Sequence, residues 1–235
     1  MEHDMSNDIE THVIPTVTHG RMLVRPARAA AARGLLVGFH GYMENAAIQL
    51  ERLEGIPGAS GWTLVCVQGL HRFYRGRTEE VVASWMTRED RDTAIADNLA
   101  YVAAALDEVP HGRFTRIVYA GFSQGVAMAF RAGVLGRDRA SGVIAIGGDV
   151  PPELLADRSL RFPPVLLARG ERDEWLTQSK FDADVAALTA RGALARSLVY
   201  DGAHEWNAAV ASAAGDFLAL DVSTPKGPRT TETAS

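Results

Sequence analysis

The chain has a single cysteine, Cys66, among 235 residues, so no intramolecular disulfide can staple it. Cys66 sits inside the apolar run Leu64-Val65-Cys66-Val67 and reads as a buried, inert thiol in a cytoplasmic protein. Lysine is nearly missing too: Lys180 and Lys226 are the only two, and arginine supplies the rest of the 24 basic residues. Against 29 acidic residues this leaves a net charge of −5, which offers no field to gather nucleic acid or an anionic membrane. No apolar run reaches the roughly 18 residues needed to cross a bilayer, so no stable membrane insertion is expected. Met1 to Glu10 is acidic and polar, unlike the basic-then-apolar order of a signal peptide. The seven histidines are scattered, with no HExxH and no Cys/His cluster, which leaves a metal site without support. No internal repeat is present.

What is there is ordinary for a soluble domain with a sizeable core: 47% hydrophobic residues and 23% charged. Short apolar runs alternate with longer amphipathic stretches. Strands are predicted at Thr11–Val17, Arg21–Arg25, Gly34–Phe39, Thr63–Gln68, Arg116–Ala120, Gly142–Ile146, Val165–Arg169 and Ser197–Tyr200. The first two, joined by Thr18-His19-Gly20, have the spacing of a hairpin. The later ones are continuous Val/Leu/Ile runs, as in strands covered on both faces. A helix is expected from Thr87 as N-cap, with Ile95, Leu99, Val102 and Leu106 on one buried face. Others are expected at Gln124–Leu135, Thr177–Ala190 and Glu205–Leu220. The pattern predicts an α/β fold: one mostly parallel sheet of about eight strands, an N-terminal antiparallel hairpin, and helices on both faces. The connection from Gly147 to Pro164 leaves no room for a large cap domain. Residues 1–10 read as a flexible N-terminus, 11–221 as the domain, and the polar, Pro- and Thr-containing 222–235 as a disordered tail.

Gly121-Phe122-Ser123-Gln124-Gly125 lies between the strand run Ile117–Ala120 and the helical pattern from Val126. A serine on so sharp a strand-to-helix turn has its hydroxyl exposed above the sheet, which favours a nucleophile over a plain turn. A hydroxyl needs a base, and the base an orienting acid. Both are sought in loops at the carboxyl ends of strands. Asp173, in Arg169-Gly170-Glu171-Arg172-Asp173, fits the acid, with Glu171 and Glu174 as competitors; its bland alternative is a solvated loop carboxylate or an N-cap. His204, in Asp201-Gly202-Ala203-His204-Glu205-Trp206, fits the base, and the order Ser, Asp, His is kept. His71 is the runner-up, but it precedes the nucleophile. An oxyanion needs preorganised N–H donors. The backbone N–H groups of Gln124 and of Tyr42, in the loop His40-Gly41-Tyr42-Met43-Glu44-Asn45, are the candidates, with His40 ordering that loop. The segment Gln68–Trp85 mixes aromatic and basic residues and follows a strand end. His71, Phe73, Tyr74, Trp85 and Met43 are therefore candidates for the substrate pocket, and a solvated basic loop is the competing view. Arg72, Arg75 and Arg77 would favour an anionic leaving group.

Phe39-His40-Gly41, the GFSQG pentapeptide, the Gly170-to-Asp173 turn and Gly202-Ala203-His204-Glu205-Trp206 recur together, in this order, in one family. From Gly34 to Leu220 the chain resembles the compact carboxylesterase/phospholipase group of the α/β-hydrolase superfamily, which includes the acyl-protein thioesterases. The resemblance implies Ser123 as nucleophile, His204 as general base, Asp173 as its orienter, an acyl-enzyme intermediate and no cofactor. Two departures stand out. Met43 occupies a position where many members carry a second glycine, and Gln68–Trp85 lacks the Trp/Phe-plus-Asp loop of a thioesterase proper. The expected partner is a small-molecule acyl ester, with the oligomeric state left open. The leading expectation is therefore a serine esterase for small or medium carboxylic esters. The alternatives are thioester or lysophospholipid hydrolysis with the same triad, and a non-catalytic fold that binds a small ligand.

Overall fold

A computed structural model describes residues 9–28, 32–109, 114 and 116–220. The expected tail at 222–235 and most of the expected flexible N-terminus lie outside the described residues. The first described strand, β1 (Arg21–Arg25), is followed by β2 (Leu35–Phe39), helix α1 (Ala46–Glu54) and β3 (Thr63–Gln68). Next come β4 (His71–Tyr74), β5 (Val81–Ser84), α2 (Arg91–Asp107), β6 (Ile117–Phe122), α3 (Gln124–Leu135) and β7 (Gly142–Ile146). The chain continues with α4 (Pro152–Ala156), β8 (Val165–Gly170), α5 (Gln178–Ala190), β9 (Ala195–Tyr200) and α6 (Ala208–Ala219). Seven strands form one sheet in the order β1-β3-β2-β6-β7-β8-β9. β1 is antiparallel to β3, and the remaining pairs are parallel.

The predicted class holds, and two details change. Thr11–Val17 forms no strand, so the N-terminal hairpin does not exist. The antiparallel partner of Arg21–Arg25 is instead Thr63–Gln68, pairing Arg21 with Gln68 and Arg25 with Leu64. Turn spacing is a local signal, whereas the stronger competitor here is a buried strand lying further along the chain. The second change is a separate hairpin of β4 and β5, which pairs His71 with Ser84.

Strand alternation divides the core between the two faces of the sheet. Val37, Phe39, Tyr119, Val143 and Leu167 pack with Val102 of α2, Phe130 of α3 and Phe181 of α5. Leu36, Leu64, Val118, Ile144 and Leu166 pack with Leu53 of α1 and Val210 and Phe217 of α6. Each such side chain removed from water contributes roughly 1.5–3 kcal/mol before the entropy of ordering is subtracted. Both faces are covered, which is why the strands read as unbroken apolar runs.

The helix expected from Thr87 begins later. Ala94 N–H donates to Asp90 O, making Asp90 the N-cap, while Thr87 Oγ1 accepts only from Glu89 N–H. Its most buried residues are Asn98, Val102 and Ala105; Ile95, Leu99 and Leu106 are half-buried beside them. Asn98 belongs on that face because its Nδ2 donates to Trp85 O and Ala94 O. The last helix starts at Ala208, where the Asn207 side chain accepts from Ala209 and Val210 N–H groups. No helix among the described residues is long and apolar enough to cross a membrane.

Candidate active site

The loops leaving the carboxyl ends of β2, β6, β7, β8 and β9 gather at one end of the sheet, where an open α/β sheet carries its ligands. Ser123 joins β6 to α3 with φ 52° and ψ −120°. Its N–H is held by Ile146 O at 2.9 Å. The flanking glycines make so tight a turn feasible. A methyl on Gly125 would lie 2.1 Å from Phe39 O, and one on Gly121 would lie 2.3 Å from Gly125 O. Any side chain at either position meets backbone.

Asp173 follows β8 and is buried. Its Oδ1 accepts from Trp175 N–H at 2.9 Å and Leu176 N–H at 3.0 Å. Its Oδ2 accepts from His204 Nδ1 at 2.9 Å. Together these three contacts fix its orientation. The buried Arg169 holds the turn from inside: Nε donates to Leu176 O, Nη2 to Asp173 O and Nη1 to Gln178 Oε1. Glu171 and Glu174, the competing acids, are exposed.

His204 stands in the loop after β9, its ring centroid 5.0 Å from that of Phe122, the residue before Ser123. Gly147, at φ +66°, also passes close to the ring. A methyl there would sit 3.1 Å from His204 Cε1 and 3.5 Å from Asp173 Oδ2. One on Gly148 would sit 2.5 Å from Ser123 O. The two glycines thus form the floor between the Asp–His pair and the serine turn.

The loop after β2 is heavily tied down. His40 is buried; its Nδ1 donates to Gly41 O and its Nε2 accepts from Gly69 N–H. That is the neutral tautomer, and burial lowers its pKa below the ordinary value. Gly41 N–H donates to Glu44 Oε2 at 2.7 Å, and Met43 N–H to Ala83 O at 3.1 Å. The N–H of Tyr42 has no hydrogen-bond partner among the described residues. The same holds for Gln124 N–H, which opens α3 and has no carbonyl a turn earlier to donate to. The Gln124 side chain braces the serine turn against β5, accepting from Trp85 N–H and donating to Met86 O.

Met43 takes φ 58°, a conformation that glycine adopts freely and that costs other residues about 1–2 kcal/mol. A second glycine would suit this position for that reason.

A cleft of about 390 Å³ opens beside Ser123 and Gln124, with Trp85, Ala127, Gly148 and Trp175 in its wall. Of the five predicted pocket residues, Trp85 alone lines it; His71, Phe73, Tyr74 and Met43 do not. β4 and β5 turn outward as a hairpin and leave His71 and Tyr74 exposed. Phe73 packs on the Tyr42 ring, and both polar backbone groups of Met43 are occupied, by Ala83 O and Arg75 Nη2. Arg72 and Arg75 are likewise engaged elsewhere, with His19 O and Glu80. Sequence reasoning missed the other polar wall residues, Arg91, Arg131, Asp149 and Lys180. Arg131 alone had a signal, falling one turn after Ala127 on the helix that Ser123 opens. No group of three or more His, Cys, Asp or Glu among the described residues could hold a metal ion.

No family model matches the chain, and no curated protein matches it. Solved structures do. Esterase PE8 is 24% identical, with a TM-score of 0.68 over 85% of this chain and 96% of its own. Acyl-protein thioesterase 2 of Zea mays is 18% identical, with a TM-score of 0.67 over 87% of this chain and 100% of its own. A phospholipase/carboxylesterase from Dyadobacter fermentans is 19% identical, with a TM-score of 0.63 over 87% and 98%. At these identities the likeness speaks to architecture, and the chain has the α/β-hydrolase fold that these esterases and thioesterases share.

Proposed function

We propose that this chain is a serine hydrolase of small or medium carboxylic esters, working through an acyl-enzyme. The observation that carries the reading is the buried Asp173 carboxylate bonded to His204 Nδ1, on the same floor of glycines as the Ser123 turn. With Nδ1 committed as donor, the lone pair of His204 is on Nε2, the tautomer a general base requires.

His204 Nε2 takes the Ser123 hydroxyl proton as Oγ bonds to the ester carbonyl carbon. The oxyanion so formed is met by the N–H groups of Tyr42 and Gln124, neither of which has a hydrogen-bond partner among the described residues. Collapse breaks the bond to the alcohol oxygen, which departs with the proton from His204. Water then repeats the sequence on the acyl-enzyme: His204 takes its proton, the acid leaves, and Ser123 regains its hydrogen. Asp173 keeps its negative charge throughout and stabilises the imidazolium.

The charged residues Arg91, Arg131, Asp149 and Lys180 in the cleft wall, set among Trp85, Met86 and Trp175, favour short, functionalised acyl groups over the long chains of lysolipids. Matched oxygen esters, thioesters and lysolipids separate these classes. The first test is p-nitrophenyl ester hydrolysis with intact-mass detection of a fluorophosphonate adduct, on wild type and Ser123→Ala. Turnover should fall by roughly 10⁶-fold, as for other serine hydrolases that lose the nucleophile, and the adduct should vanish. A folded wild type that neither turns over nor labels would refute the reading and leave a ligand-binding role.

A further inference from the structure

Arg131 is an unusual wall residue. Its side chain is only 2% exposed, yet it borders the cleft that begins at Ser123. Nε and Nη2 both donate to Glu153 Oε1, at 2.8 and 2.7 Å. Nη1 has only the Met86 thioether, 3.7 Å away. A thioether is a weak acceptor, so the end of the guanidinium that faces away from Glu153 keeps strong donors in reserve.

Its setting points to an anion. Arg91 and Lys180 also line the cleft, with Asp149 as the acidic member of the wall. Glu153 stands behind, shared by Arg131 and Arg91. Asp184, whose carboxyl pKa burial pushes up to about 6, also lies near Lys180 and Asp149, so the three cations are balanced by carboxylates at their outer ends and Arg131 Nη1 is the donor left facing no oxygen. Lys180 has no ion-pair partner among the described residues.

Geometry sets the reach. Ala127 and Arg131 fall four residues apart on one face of α3, Ser123 stands at the turn that opens the helix, and all three line the cleft, with the small Ala127 between the outer two. From Gln124, the first residue of α3, to Arg131 the helix rises about 10 Å, and helical side chains lean back toward the N-terminus, which brings the guanidinium nearer the serine. An acyl chain of about four to six carbons spans what remains.

We propose that the cleft selects esters whose acyl group ends in a carboxylate, half-esters of short dicarboxylic acids, and that Arg131 Nη1 binds this distal carboxylate with Lys180 and Arg91 at the rim. This rests on the hydrolase reading above and specifies its substrate class. Arg131 determines specificity and has no part in bond breaking.

The test compares kcat/KM for methyl hydrogen glutarate with that for methyl pentanoate, which matches it in length. A third ester carries the carboxylate on the alcohol side. Wild type should favour the half-ester by about tenfold or more, the worth of a charge-assisted hydrogen bond. Arg131→Met should erase that preference. Because this change also strips Glu153 of a partner, the variant Lys180→Gln, which breaks no ion pair among the described residues, is measured beside it at the cleft rim and should lower the preference severalfold. Equal rates on the two methyl esters, a preference indifferent to these variants, or a preference for the alcohol-side carboxylate would each overturn the proposal. Glutarate binding to Ser123→Ala, followed by calorimetry, separates this proposal from the hydrolase reading. Binding that is lost in the rim variant supports the anion site even without turnover. Absent binding, alongside normal turnover of neutral esters, removes the anion site and leaves the hydrolase standing.

Discussion

The guanidinium of Arg52 lies 4.1 Å from the centroid of the Phe122 ring. Phe122 precedes Ser123, and the same guanidinium donates to both oxygens of Glu44, at 2.6 Å each. Glu44 Oε2 in turn accepts from Gly41 N–H. One arginine on α1 thus couples the loop that presents Tyr42 N–H to the turn that presents Gln124 N–H. Two donors on separate loops stabilise one oxyanion well only when their separation is fixed.

Arg52→Met should therefore lower kcat by up to about 10²-fold, the cost of small misplacements in an active site, while KM changes little. Arg52→Lys should not restore the rate, because a single ammonium cannot hold both carboxylate oxygens and stack on a ring. Steady-state kinetics on a neutral ester, with melting temperatures as control, checks both.

Acid should unfold the protein through this same loop. Burial lowers the His40 pKa from its ordinary 6.5, and the folded state keeps it neutral. Burial pushes the Glu44 carboxyl up, but the Arg52 hydrogen bond and charge outweigh it and leave it below its ordinary 4.5. Both groups have depressed folded pKa values, so both contribute stability that is whole above the unfolded value and lost as pH falls through the folded one. Melting temperature should decline from about pH 6.5 downward, with a further loss below about 4.5. His40→Gln should flatten the upper part of that decline.

Gly147→Ala should damage both stability and rate. Its φ of +66° would cost alanine about 1–2 kcal/mol. Its methyl would also press on the His204 ring at 3.1 Å. A lowered melting temperature with kcat down by up to about 10²-fold is expected. Gly192→Ala, also at positive φ but with open space around it, should cost stability alone. Comparing the two separates backbone strain from displacement of the imidazole.

Asp173→Asn should leave the fold in place and reduce kcat by roughly 10⁴-fold, because the amide can hold the imidazole in the wrong tautomer. The His204 ring nitrogens, followed by NMR in the variant and in wild type, report the tautomer directly.

Much of the fold was legible because it is written locally. β3 and β7 span Thr63–Gln68 and Gly142–Ile146 as predicted, and α3 runs from Gln124 to Leu135 as the periodicity gave it. Continuous apolar runs and a glycine-flanked serine depend on neighbours a few residues away. The chain order of Ser123, Asp173 and His204 was legible as well, since each follows a strand. The partner of β1 was not, because Arg21–Arg25 reaches a strand some forty residues on. Nor was the outward hairpin, which carries His71, Phe73 and Tyr74, three of the expected pocket residues, outside the cleft lining.

The sequence by itself determined the α/β class, the tight turn at Ser123 that only Gly121 and Gly125 permit, and the loops in which an acid and a base could stand. Tertiary structure alone decided that His204 Nδ1 meets Asp173 Oδ2, that Arg52 bridges Glu44 and Phe122, and that Arg131 is buried on Glu153 with one nitrogen left over. The physical reason is range. Backbone sterics and apolar periodicity act within a turn or a strand, whereas pairing a charge out of water requires two groups that only the packed sheet and helices bring within 3 Å.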